Sequence, residues 1–211
     1  MMHDFFQNFL AGLRTTSIPE YVAVVAGIIS VWFSRKENVL VYPVGLVNTT
    51  FYVYLSIDGE LYGEASVNFY YTVMSIYGWI LWAKKDKLHH HILHVTRSSR
   101  REWLQQLAFF AAVYLVLYFA LLYLKTAFYS NTIPAADAFA SATAYTGMWL
   151  MAKKKVESWY WWILTDAAAV PLYYVKGFNF TSIYYLILFF MAIAGLIKWS
   201  QKANSPNPQL A

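Results

Sequence analysis

The stretches SIYGWILWAKK (75–85) and AIAGLIKWSQK (192–202) each close an apolar run with Gly-x-x-x-Trp and then lysine, and they lie 117 residues apart. At the same offset Trp32 matches Trp149, Lys36 matches Lys153, Gly78 matches Gly195 and Trp82 matches Trp199. Several anchors at one offset mark an internal duplication, with a gap of a few residues placed between them. Trp followed by Lys also suits the point where an apolar helix leaves hydrocarbon for water, because the ring sits at headgroup level and the cation reaches the aqueous side. Trp82 and its lysines therefore read as an interfacial anchor.

Composition supports a membrane setting. Of 211 residues, 59% are hydrophobic, 20% aromatic and only 13% charged, against about a quarter charged in a soluble domain. Seven segments have the roughly 17–25 mainly apolar residues that a spanning helix needs: 18–34, 39–57, 61–83, 103–124, 133–152, 159–175 and 180–199. When they are threaded in turn, 13 of the 16 Lys and Arg fall on one side, leaving Arg14, Lys125 and Lys176 on the other. Basic residues are retained on the cytoplasmic side, so the N-terminus is expected outside and the C-terminus in the cytoplasm of a bacterial inner-membrane protein. The net charge of +5 is then a topology feature, and nucleic acid is not an expected partner.

Spans one to three are repeated as spans five to seven. Because three is odd, a second copy of the same orientation needs one more crossing, which span four supplies. The expected architecture is all-α, seven transmembrane helices arranged 3+1+3. Its parts are an extracytoplasmic segment (1–17), a first three-helix repeat (18–83), a cytoplasmic loop (84–102), a linker helix (103–124), a second repeat (133–199) and a cytoplasmic tail (200–211). The opening MMHDFFQNFLAGLR has no basic n-region, long apolar core or small-residue cleavage site, and reads as mature sequence. Parallel repeats about an axis along the membrane normal are a transporter architecture.

Polar groups inside a membrane are costly unless partnered and default to function. Helical spacing puts Trp159, Trp162, Asp166, Ala169 and Tyr173 on one stripe, a carboxylate among aromatic rings and small residues. Such a stripe suits a flat, cationic or hydroxyl-bearing ligand, held by stacking, cation-π attraction and hydrogen bonds. In the first repeat Gly45, Asn48 and Tyr52 share a stripe, with Asn48 opposite Asp166 or within a turn of it. Pro43 and Pro171 interrupt these two helices and free backbone groups. Span three offers Asn68, Thr72, Ser75, Trp79 and Trp82, with Trp79 on the face of Asn68; at the repeat offset Asn68 falls on Tyr185. His89, His90, His91 and His94 read as a solvated linker and not as a metal site. Glu64 and Asp137 sit at outer helix ends. The chain has no Cys, so it offers no disulfide and no thiolate metal site. Nothing resembles a phosphate-binding loop, a nucleophile elbow or a convergent catalytic constellation, so neither an enzyme nor a cofactor is expected.

The runs NVLVYPVGLVNTTFYVYL, LYGEASVNFYYTVMSIYGWILW and KKKVESWYWWILTDAAAVPLYYVKGFNFTSIYYLILF resemble the PnuC family of bacterial vitamin transporters, over about 21–199. The most specific pieces are Tyr-Gly-Trp-x-x-Trp at 77–82 and Glu-x-Trp-x-x-Trp at 157–162. The resemblance implies import of nicotinamide riboside, an NAD precursor, by facilitated diffusion without ATP, trapped inside by a cytoplasmic kinase. It also implies a homotrimer of protomers each built from two three-helix bundles joined by span four, as in SWEET sugar transporters. On that reading Trp162, Tyr173, Tyr185 and Trp79 enclose the pyridinium, Asn48 and Asn68 hydrogen-bond the amide or ribose, Tyr52 lines the same stripe, and Asp166 balances the cation. Many members have Gln where this chain has Asn68, and some have Asn in place of Asp166. Related members carry thiamine, also a flat cation, and others riboflavin; thiamine import is the alternative within the family. A membrane receptor or sensor is the alternative outside it, but the loop 84–102 is short and basic and the tail SPNPQLA offers no output surface.

Overall fold

The computed structural model describes residues 18–58, 62–85, 92–128 and 132–205. They hold seven helices: α1 (Ile18–Arg35), α2 (Val41–Asp58), α3 (Tyr62–Ala83), α4 (Arg100–Phe128), α5 (Pro134–Ala152), α6 (Ser158–Val175) and α7 (Asn179–Ala203). No strand occurs among the described residues; Thr96 and Lys155 form an isolated parallel bridge. The opening segment, His89, His90, His91, the side chain of Glu64 and the end of the tail lie outside the described residues. Helix α4 begins three residues before the expected linker helix, and α7 continues four residues past the expected span.

By length and composition, α1, Arg100–Ala127 of α4 and α7 are apolar enough to cross a membrane. The other four helices carry more of the polar groups, and much of that polarity is satisfied internally. The Thr165 and Thr143 hydroxyls meet at 3.0 Å between α6 and α5, Thr72 donates to Thr49 at 3.0 Å between α3 and α2, and Thr146 donates back to the Ala142 carbonyl at 2.8 Å. Such bonds let a helix carry hydroxyls in an apolar setting.

Helix α1 packs on α2 and α2 on α3; α5 packs on α6 and α6 on α7; α3 meets α5, α1 meets α7, and α4 lies against α5. At the lysine-rich end these helices share a core of Val41, Tyr42, Trp82, Val95, Met151, Val156, Trp159, Ala192 and Trp199. Its shape explains the Gly-x-x-x-Trp ending. A side chain at Gly78 would strike the Tyr42 ring, and a Cβ at Gly195 would stand 2.6 Å from the Trp159 ring. Tyr42 meets Trp82 edge-on at 5.1 Å, Trp159 meets Trp199 edge-on at 5.4 Å, and Trp82 lies 6.1 Å from Trp199. Trp82 is thus no interfacial anchor: it is 1% exposed, and its indole N–H donates to the Ala152 carbonyl at 3.1 Å. Two less buried rings also stand beside cations: Trp32, with the Lys36 ammonium 3.6 Å from its centroid, and Trp149, with Lys153 at 4.3 Å.

The segment before α4 is tied to the bundle. Thr96 donates to the Lys154 carbonyl and accepts from the Val156 N–H. Buried Glu157 accepts from the Ser98 N–H and hydroxyl at 2.9 and 2.7 Å, Gln106 donates to Ser98 at 2.7 Å, and Trp161 donates to Gln106 at 3.2 Å. The Glu of the Glu-x-Trp-x-x-Trp motif therefore fastens this segment. Ser99 and Glu102 form a reciprocal capping box at the start of α4, and Glu102 pairs with Lys155 at 2.7 Å. Lys155, then the Ser99 N–H, hold the Glu102 carboxyl below the usual carboxylate range. A carboxyl depressed by folding stabilises the native state above its unfolded pKa, and that contribution fades as pH falls through the folded value. Glu102→Gln should therefore lower the melting temperature at neutral pH, and the gap from wild type should narrow as pH falls through the range of the depressed carboxyl; a thermal-shift series across pH checks both.

Candidate functional site

Three further helices meet α6 around one buried acid. Trp162, Asp166, Ala169 and Tyr173 follow each other along one face of α6; Asp166 is 3% and Ala169 1% exposed. The Trp162 indole lies flat enough against α5 that a Cβ on Gly147 would stand 3.2 Å from it. From α3, Tyr71 comes within 6.1 Å of Trp162, while its neighbour Tyr70 stacks on Tyr145 of α5 at 4.1 Å and donates to the Tyr145 carbonyl at 3.1 Å. From α7, Tyr185 stacks on Tyr173 at 5.2 Å and lies 5.5 Å from Tyr184. Tyr71 and Tyr184 are both close enough to Asp166 to feel its charge. Among the described residues, no lysine or arginine pairs with Asp166.

Pro171 lies within α6, five residues past Asp166, and lacks the N–H that would bond the carbonyl one turn back. Here α7 braces the helix, with the Ser182 hydroxyl donating to the Val170 carbonyl at 2.8 Å. Pro43 differs from expectation: it lies in the first turn of α2, where no intrahelical partner is lost, and interrupts nothing. At the other end of α6, Lys176 pairs with Asp137 at 2.5 Å and stands 5.9 Å from the Tyr173 centroid. Asp137 also accepts from the Ile133 N–H at 2.7 Å, where a carboxylate suits the start of α5.

The remaining expected residues are placed less uniformly. Asn48 reaches the cluster, where its amide nitrogen and the Tyr184 hydroxyl both crowd Gly27, but that amide donates to the Ala23 carbonyl at 2.6 Å. Tyr52 lies within electrostatic reach of Tyr184. The Asn68 carbonyl accepts from Thr72 at 3.0 Å, one turn along α3. Trp79 is 41% exposed, because the buried face of α3 centres on Ser75, Gly78 and Trp82 and leaves Trp79 at its margin. Tyr70, Tyr71, Tyr145 and Tyr184 were not among the expected site residues. Tyr71 was within reach of the sequence, being three residues from Asn68 on the same helical face.

A family model described as nicotinamide mononucleotide transporter matches residues 17–201. The chain belongs to that family. The chain is similar to the nicotinamide riboside transporter PnuC of Escherichia coli (strain K12), 25% identical over 229 aligned residues, with 95% of this chain and 96% of that one covered. A nicotinamide riboside transporter PnuC of Neisseria mucosa is 26% identical, covering 85% of this chain and 71% of its own. The riboflavin/roseoflavin transporter RibM of Streptomyces davaonensis is 23% identical, covering 85% and 83%. A solved structure described as the crystal structure of the vitamin B3 transporter PnuC superposes with a TM-score of 0.70 at 20% identity, over 94% of this chain and 89% of that one, and so shares the fold. Family and apolar helices together make this chain a membrane protein of a vitamin-transporter family.

Proposed function

We propose that this chain imports nicotinamide riboside across the bacterial cell membrane by facilitated diffusion, and that a cytoplasmic kinase traps the product. The observation that carries the reading is Asp166, 3% exposed among Trp162, Tyr71 and Tyr184, with no basic partner among the described residues. A carboxylate removed from water costs several kcal/mol, as an order of magnitude, unless a charge or hydrogen bonds answer it. A pyridinium stacked between these rings supplies that charge and uses the aromatic faces for cation-π attraction. Tyr173, Tyr185, Tyr52 and Asn68 complete the seat, and Trp79 lies at its margin. Riboflavin, uncharged, leaves Asp166 unanswered; thiamine, also a flat cation, remains the second substrate this seat admits.

All seven helices cross the membrane in this reading, with the lysine-rich end in the cytoplasm, and the protomers assemble as a homotrimer as the family resemblance implies. Transport proceeds by rocking α1–α3 against α5–α7. An approximate two-fold relation between these triplets is supported by the numbering: a shift of 117 carries Val41–Asp58 onto Ser158–Val175 with no gap. It also carries Glu37 (φ 55°) onto Lys154 (φ 52°), the two left-handed non-glycine residues among those described, and the Gly78–Tyr42 contact onto Gly195–Trp159. Residues matched by the shift meet one another, as positions beside an axis do: Ser34 with Met151 at 2.9 Å, Trp82 with Trp199, Glu37 with Lys154 at 3.6 Å. Without a gap, Thr49 rather than Asn48 is the counterpart of Asp166.

Calorimetric titration of the detergent-solubilised protein with nicotinamide riboside, thiamine and riboflavin tests the substrate. Saturable binding of the riboside in preference to the other two is expected; riboflavin binding with no response to either cation would overturn the assignment.

A further inference from the structure

Helix α1 contributes no aromatic ring to the seat described above, yet it determines where one of them stands. Gly27 is buried on α1, and a Cβ there would collide with the Tyr184 hydroxyl, stand 2.9 Å from the Asn48 amide nitrogen and 3.2 Å from the Tyr184 ring carbon that bears the hydroxyl. The Tyr184 oxygen therefore occupies the space that a side chain on α1 would fill. Asn48 is itself anchored, donating one N–H to the Ala23 carbonyl at 2.6 Å, one turn before Gly27, and its amide nitrogen shares the space beside Gly27 with the Tyr184 hydroxyl. Tyr184 is 9% exposed and lies 5.5 Å from Tyr185, the ring that stacks on Tyr173 of α6.

We infer that Gly27 and Asn48 are positioning residues: the missing side chain and the anchored amide together fix the Tyr184 hydroxyl as a polar wall of the seat, behind the Tyr185 ring that stacks on α6. Asn48 then acts through Tyr184 and does not itself contact substrate. The inference deepens the proposed function and rests on it for the ligand; the packing it describes stands without a ligand. A site built around a fixed hydroxyl discriminates against ligands that leave that hydroxyl unpaired, so α1 shapes selectivity from behind the ring.

The test is a cycle of Gly27→Ala, Tyr184→Phe and the double variant in detergent. Each is measured for its thermal midpoint without ligand and for its affinity for nicotinamide riboside. Gly27→Ala should lower the midpoint and weaken binding about tenfold, because the methyl overpacks a filled space. In the Tyr184→Phe background, where the colliding oxygen is gone, the same methyl should cost little in either readout. Asn48→Ala, which leaves α1 intact, should match Tyr184→Phe in affinity and add little to it. Equal penalties for Gly27→Ala in both backgrounds would overturn the inference, because the glycine would then serve helix packing alone. If the wild type fails to bind the riboside while the thermal midpoints still couple, the substrate reading falls and the positioning stands. Riboside binding with uncoupled midpoints has the opposite meaning.

Discussion

Asp166→Asn should weaken binding of nicotinamide riboside about tenfold or more while raising the melting temperature of the empty protein. The substitution keeps the shape of the side chain and its capacity for hydrogen bonds, and removes only the charge. In the wild type that carboxyl sits at 3% exposure without a basic partner among the described residues, so an amide spares the empty state the cost of ionising a buried acid. The bound state loses the attraction between carboxylate and pyridinium, which a poorly screened setting strengthens. The sharpest control is the reduced, uncharged dihydro form of the riboside, close to the same shape without the positive ring. Wild type should prefer the cation over the neutral form, and Asp166→Asn should erase that preference. The amide is nearly isosteric with the carboxyl, so the variant is expected to remain folded and to transport at raised substrate concentration. Unchanged affinity, with the same preference for the cation, would remove Asp166 from the seat.

Lys154→Glu should produce the largest loss of stability, and Glu37→Lys on the same chain should restore most of it. Lys154 is 5% exposed, lies 4.6 Å from the Trp82 centroid and pairs with Glu37 at 3.6 Å; Glu37 also takes Lys202 at 3.0 Å. Burial holds the Lys154 ammonium below its usual range, and Glu37 opposes that shift. Reversing one charge places two carboxylates together in a poorly solvated turn, and losing one partner of such a pair costs about 3–5 kcal/mol. Rescue by the swap is expected because the two residues occupy turns of the same left-handed conformation, φ 55° and 52°, so each backbone already accepts a long, unbranched side chain. Thermal denaturation of both single variants and of the double variant reads this directly. A double variant no more stable than the worse single would show that the pair's orientation, and not its charge complementarity, matters. The triad ties the α1–α2 turn to the α5–α6 turn and to α7 at the cytoplasmic end of the proposed transporter. A rocking motion that opens this end must break it, so transport rate should rise or fall with these variants even where affinity does not.

Much of this was legible in the sequence, and the losses have identifiable causes. The offset of 117 came from Trp and Gly anchors that occur at helix ends, and those residues pack on one another: Gly78 leaves room for Tyr42 as Gly195 does for Trp159. What those anchors do was misread. Trp before lysine looks the same whether the ring faces headgroups or a neighbouring helix, and only the approach of Trp199 to Trp82 distinguishes them. Trp162, Asp166 and Tyr173 stood out because a carboxylate in an aromatic stripe is conspicuous in an apolar helix. Tyr71 and Tyr184 were missed because tyrosine is common in this chain, 18 residues in all, and helical spacing alone does not say which rings converge. Trp79 was favoured over Tyr71 for the same reason: the two lie on opposite margins of one face, and the packing partner chooses between them. Asn48 was assigned to substrate without its anchor on Ala23, a contact between α2 and α1 that no local pattern encodes.

The most direct test of the account is uptake of labelled nicotinamide riboside into proteoliposomes holding the purified protein and no ion gradient. The account predicts saturable entry that equilibrates without accumulating, is competed by unlabelled riboside, and slows in Asp166→Asn at low substrate. No entry of the riboside without a gradient, with accumulation once a proton gradient is imposed, would contradict facilitated diffusion and make Asp166 a proton carrier instead of a counter-ion.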